Sequence, residues 1–128
     1  INDRIQLVAL EVLCGTEHRP PSAKLRLNFD GDEKYSETTG DGPVDAIFTG
    51  IKELTSQSPK LQLYQVHAVT QGTDAQAEVT VRLEENGKTV NGKGADTDTM
   101  VASSKAYINA LNKLLVKREK TAPAALSA

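Results

Sequence analysis

Gly40-Asp41-Gly42-Pro43-Val44-Asp45-Ala46-Ile47-Phe48 and, 54 positions later, Gly94-Ala95-Asp96-Thr97-Asp98-Thr99-Met100-Val101-Ala102 each close a pair of strand-like segments and open an amphipathic helix. One supersecondary unit is written twice. Two copies at such spacing indicate pseudo-twofold symmetry and not a solenoid, which needs more repeats to stack. Each copy ends in a helix N-terminus. Such an end offers unsatisfied N–H groups and partial positive charge, a natural seat for a carboxylate or phosphate.

Working outward, Ala23 to Phe29 and Ala77 to Leu83 alternate apolar and polar residues. That is the period of a half-buried strand. Asp30-Gly31 and Asn86-Gly87 follow, pairs that tolerate positive φ and mark tight turns. Lys34 to Thr39 and Lys88 to Lys93 are the next strands, closed by Gly40 and Gly94. Ile5 to Cys14 and Leu61 to Thr70 supply a strand ahead of each copy. The predicted fold is α+β: two pseudo-twofold-related βββα units, over 4–57 and 58–118, with sheets packed against two helices.

The first helix has Gly42 at the N-cap and Pro43 at the first helical position, where a missing N–H costs nothing. Val44, Ile47, Phe48, Ile51 and Leu54 share a face, and Gln57-Ser58-Pro59 ends it. The second starts near Asp96-Thr97-Asp98, whose side chains suit a cap. Val101, Ile108, Leu111 and Leu115 form its stripe, widened by Tyr107, Leu114 and several alanines. Ordinary packing against a sheet explains both stripes, and the wide second one leaves room for a partner subunit. Lys113, Lys117 and Arg118 are placed at the C-terminal end of the dipole. Residues 119–128 show no pattern and are expected to be a flexible tail.

At 128 residues the chain is one domain. A net charge of −2 gives no nucleic-acid footprint, and no apolar run is long enough for a membrane span. No signal peptide is visible, and the single cysteine, Cys14, fits a reducing cytoplasm and is expected to pack in its strand. His18 and His67 belong to no metal-ligand spacing, and a structural role is expected of each. There is no nucleophile elbow and no phosphate loop. Asp41, Asp45, Asp96 and Asp98 lack the spacing of a calcium loop. Capping, or recognition of a ligand ammonium, suits them better, so no metal is expected.

Three segments carry a specific resemblance: Gly40-Asp41-Gly42-Pro43-Val44-Asp45-Ala46, Gly72-Thr73-Asp74-Ala75-Gln76-Ala77 and Gly94-Ala95-Asp96-Thr97-Asp98. The last is followed by Ala102-Ser103-Ser104-Lys105-Ala106-Tyr107 and Ala110-Leu111-Asn112. In this order, from about Ile5 to Leu115, the chain resembles the C-terminal regulatory domain of the 2-isopropylmalate synthase family. The resemblance implies binding of L-leucine for feedback inhibition, and a homodimer. It also implies a catalytic TIM barrel with a divalent metal elsewhere in the polypeptide, condensing acetyl-CoA with 2-oxoisovalerate. A barrel takes about 250 residues, so catalysis and its metal lie outside this domain, which needs no cofactor of its own.

Carried over by motif, the seat of the leucine carboxylate falls to Gly40, Gly42, Val44 and Asp45, with Ala46 following, and Ala95 and Asp96 occupy the matching corner of the second unit. The isobutyl pocket falls to Leu61, Tyr64, Ala68 and Ala75, the alanines setting its volume. The alternatives are the related citramalate synthase domain, binding isoleucine, and a dimerisation domain without ligand.

Overall fold

The computed structural model describes residues 3–16, 19–69 and 76–127, and the side chains of these up to Arg118 except that of Val69. The order is β1 (Ile5–Leu13), β2 (Ser22–Phe29), β3 (Asp32–Thr39), α1 (Pro43–Thr55), β4 (Lys60–Val69), β5 (Gln76–Glu85), β6 (Lys88–Asp96) and α2 (Thr99–Ser127). Two antiparallel three-stranded sheets result, ordered β1-β2-β3 and β4-β5-β6. This is the α+β fold of two βββα units expected from the sequence. The alternation in β2 and β5 buries Ala23, Leu25, Leu27 and Val79, Val81, Leu83 against the helices. The β2–β3 and β5–β6 hairpins turn at Asp30-Gly31 and Asn86-Gly87, all four residues at positive φ.

The internal match is offset by two residues from the 54-residue spacing of the sequence motifs. Both first strands carry a bulge, between Leu7 and Ala9 opposite Leu27/Arg26 and between Leu61 and Leu63 opposite Leu83/Arg82. From the first strands the shift is therefore 54, but from the second strands onward it is 56. The second unit's first hairpin continues further, pairing Ala68 with Ala77 and Val69 with Gln76. Gly42 thus corresponds to Asp98: each accepts the first helical amide bond, from Ala46 and Ala102. Gly40 corresponds to Asp96 and not to Gly94. A strand repeats its facing every two residues, so a two-residue slip leaves the apolar pattern unchanged.

That correspondence shows how each helix comes close to its sheet. In the first unit the small residue is on the helix: a Cβ on Gly50 would lie 3.0 Å from Thr38 Oγ1 and 3.1 Å from Ser36 Oγ. Thr38 donates its hydroxyl to the Ala46 carbonyl at 2.8 Å. In the second unit the equivalents of Ser36 and Thr38 are Gly92 and Gly94. A Cβ there would fall 2.2 Å from the Ala106 carbonyl oxygen and 2.4 Å from that of Ala102. Ala102, Ala106 and Ala110, all buried, complete the flat contact.

The halves are joined across the pseudo-twofold. Asn112 on α2 accepts the Ile5 N–H at 2.9 Å and donates to the Ile5 carbonyl at 3.0 Å, both buried. Phe48 of α1 meets Tyr107 of α2 at 4.4 Å and, edge-on, Tyr64 of β4 at 5.8 Å between centroids.

Several expectations are corrected. Helix α2 runs to Ser127, so Lys113, Lys117 and Arg118 are not in its last turn. Lys113 and Lys117 instead donate to the Asn91 and Thr89 carbonyls of β6, and Arg118 pairs with Glu85. Cys14 lies just beyond β1 and is exposed. His67 is exposed on β4, and His18 falls outside the described residues.

Candidate functional site

The two helix starts differ. At α2, Asp98 Oδ1 accepts the Met100 N–H at 2.8 Å, a side-chain cap of the usual kind. Asp96 Oδ1 accepts the Asp98 N–H at 3.0 Å, and Asp96 Oδ2 pairs with Lys105 at 3.0 Å. The Asp98 amide first, and then Lys105, hold the Asp96 carboxyl below the ordinary aspartate range. This corner is occupied by its own side chains.

At α1, Gly42 is extended, at φ −154° and ψ 173°, and makes no side-chain cap. Pro43 has no N–H, and Ala46 N–H is bonded to the Gly42 carbonyl at 3.0 Å. That leaves Val44 and Asp45 as first-turn amides without an intrahelical acceptor. The Asp45 carboxylate turns back to accept the Asp41 N–H at 3.0 Å. Space around Gly42 is open, with no atom within 4 Å of where a Cβ would stand, whereas a Cβ on Gly40 would lie 2.5 Å from Ala46 N. Gly40 is therefore the glycine required by close approach. Gly42 needs no positive φ and is small where a ligand has room.

The inner face of β4 carries Leu61, Tyr64, Val66 and Ala68, opposite Leu83, Val81, Val79 and Ala77. Leu61 and Val66 are each 43% exposed, and Ala68 is exposed too. The helices explain this. Helix α2 lies over β5 and β6, and α1, of 13 residues, reaches β4 through Phe48. Tyr64 is half-buried, its hydroxyl 2.7 Å from Ser103 Oγ, which itself bonds the Thr99 carbonyl. Ala68, Ala77 and Asp96 stand in one row across the sheet.

The carried-over positions therefore form two groups. Gly40, Gly42, Val44, Asp45 and Ala46 gather at the α1 start, and Leu61, Tyr64 and Ala68 share the open face of β4. The Phe48–Tyr64 ring contact ties α1 to β4, and Val44 stands one helical turn before Phe48. Ala95 is exposed beside the self-capped Asp96. Ala75 lies outside the described residues. Two contacts carry no signal in the sequence. Phe48 reads only as core there, and nothing marks Ser103 as the partner of a tyrosine 39 residues away.

The structure is a duplicated βββα domain with one helix start free of side-chain caps and an apolar strand face left partly exposed. The model of the LeuA allosteric (dimerisation) domain matches residues 1–115, and the chain belongs to that family. It is 55% identical over 126 residues to a 2-isopropylmalate synthase of Rhodopseudomonas palustris (strain BisA53), covering 97% of this chain and 24% of that protein. Enzymes of the same name from Caulobacter sp. (strain K31) and Nitrobacter hamburgensis are each 52% identical, over 97% and 99% of this chain and 23% and 24% of theirs. The chain spans about a quarter of the length of these relatives.

Proposed function

We propose that this chain is the leucine-sensing domain of a 2-isopropylmalate synthase. It binds L-leucine and passes the signal to a catalytic TIM barrel that condenses acetyl-CoA with 2-oxoisovalerate. The observation that supports the reading is the contrast between the two helix starts. Asp98 and Asp96 fill one, while Gly42 leaves the Val44 and Asp45 amides of the other available to a carboxylate. The open face of β4, with Tyr64 and Ala68, offers apolar surface to an isobutyl group. A second copy closes over it, and binding at such a junction shifts the arrangement of subunits, which is a coupling free energy between sites.

Titration calorimetry on the chain tests this. Leucine binds more tightly than valine or isoleucine, by a modest margin, since one methylene in an apolar pocket is worth about 1–3 kcal/mol. Gly42→Val removes most of the heat with an unchanged circular dichroism spectrum, because the extended backbone accepts a β-branched residue. Ala68→Phe does the same without overpacking, since Ala68 is exposed. No heat with millimolar leucine on the folded chain overturns the reading, and tighter binding of isoleucine transfers it to the citramalate branch.

A further inference from the structure

A cavity of about 630 Å³ opens between the middle of α2, the start of β6 and the residues leading into β1. Its size is that of a small-molecule site. Val90 and Val116 supply apolar lining, and Asn91, Asn109, Asn112 and Lys113 the polar part. Each carboxamide oxygen already accepts one hydrogen bond. Asn109 Oδ1 accepts the Lys93 N–H at 3.0 Å, Asn112 Oδ1 the Ile5 N–H at 2.9 Å, and Asn91 Oδ1 the Arg82 Nε–H at 3.0 Å. Each partner is an obligatory donor, so the orientation of all three amides is fixed. Each still has N–H to offer, Asn112 one and not two because it donates to the Ile5 carbonyl. Lys113 uses one of its three N–H bonds on the Asn91 carbonyl at 2.7 Å. Arg4, at the rim, is paired with the Asp30 carboxylate at 2.7 Å. Among the described residues, Asp3 is the one carboxylate of the lining.

We propose that this cavity binds a small organic oxyanion, a carboxylate or phosphate, held by Lys113 and the Asn109 amide with its apolar body on Val90 and Val116. A lining that sets Lys113, Lys117 and Arg4 against the one carboxylate of Asp3, and keeps amide N–H groups to donate, favours an anion. The same positive charge disfavours a ligand that carries its own ammonium, and none of the lining residues belongs to the α1 start. Asn109 and Lys113 lie ten or more residues along α2 from Thr99, roughly 15 Å or more from that helix's own N-terminus.

The test is a titration of the ¹⁵N-labelled 128-residue chain, with saturating leucine present, by phenyl phosphate and by benzoate, with neutral benzyl alcohol as control. The anions produce saturable shifts in the Asn91 and Asn109 side-chain amides and the adjacent α2 backbone. The tighter of the two names the headgroup chemistry, and benzyl alcohol shifts nothing. Asn109→Asp keeps the oxygen that Lys93 needs and replaces the N–H donor by a carboxylate oxygen, so binding is lost while the spectrum stays dispersed. Lys113→Gln weakens it at least about tenfold, and Lys52→Gln, on α1, leaves it unchanged. The proposal is overturned if neither anion saturates below about 5 mM, or if Lys52→Gln weakens binding as much as Lys113→Gln, which marks diffuse charge attraction. Loss of leucine binding alone leaves these shifts in place, so the two readings fail separately.

Discussion

Gly94 and Gly50 solve the same packing problem from opposite sides, and their substitution separates hard from soft contact. A Cβ on Gly94 meets backbone atoms of α2, the Ala102 oxygen at 2.4 Å and the Ala106 nitrogen at 2.6 Å. A Cβ on Gly50 meets side-chain hydroxyls at 3.0–3.1 Å. Gly94→Ala should therefore cost about 1–3 kcal/mol, the usual range for overpacking, and Gly50→Ala less. Urea unfolding of both checks the order, and equal midpoints refute it. Asp96 gives a pH prediction at the same scale. Its folded pKa is lowered, so its contribution to stability is complete above the ordinary aspartate value of 3.8 and is lost as pH falls through the folded value. Carboxyl NMR should place its midpoint below that of a free aspartate. Lys105→Gln should restore only part of the shift, because the Asp98 amide is the larger cause. Turn residues such as Asp30-Gly31 are legible in the sequence because positive φ restricts side-chain choice. The correspondence of Gly40 with Asp96 is not, because a two-residue slip preserves strand facing.

At the scale of elements, the two helices show what capping chemistry reveals and hides. Asp98 is legible as a cap, and it caps α2 through the Met100 amide. Asp98→Ala should cost about 1 kcal/mol of stability, measured by thermal melt. The contrasting Gly42→Ser, which adds a hydroxyl able to reach the open amides, should stabilise α1 slightly and compete with leucine. If Gly42→Ser binds leucine as well as the parent, those amides are not the carboxylate seat. The far end of α2 escapes sequence reasoning for a physical reason. Pro123 cannot donate within a helix, and residues 119–128 have no apolar stripe, so the pattern stops at Arg118. Yet the helix continues to Ser127, through alanines whose intrinsic preference is helical. The roles of Lys113 and Lys117 are hidden for another reason. Their acceptors are β6 carbonyls more than twenty residues away, and a backbone acceptor leaves no mark in the sequence.

For the whole molecule, the unit repeat is legible and the junction between units is not. Asn112 and Ile5 are 107 residues apart, and neither residue type announces a bidentate bond to an edge strand. The exposure of β4 is hidden likewise, since its alternation is that of any buried face. The inner side of β4 has Leu61 and Val66 each 43% exposed on a strand that, among the described residues, pairs with β5 alone. Apolar surface left beside an unpaired edge is where a second copy is expected to cover the sheet, in a family described as a dimerisation domain. Val66→Glu places a charge at the middle of that strip. Val66 is partly exposed, so the added carboxylate can reach solvent in the monomer, whose circular dichroism should not change. Burying an unpaired carboxylate in the interface is costly, and the dimer dissociation constant should rise by a factor of about ten or more. Sedimentation equilibrium over a concentration series measures it, with Tyr35→Glu, on an exposed aromatic of β3, as the control. If Val66→Glu leaves the dimer intact while Tyr35→Glu dissociates it, the chains meet through the first sheet, and β4 is free for another role.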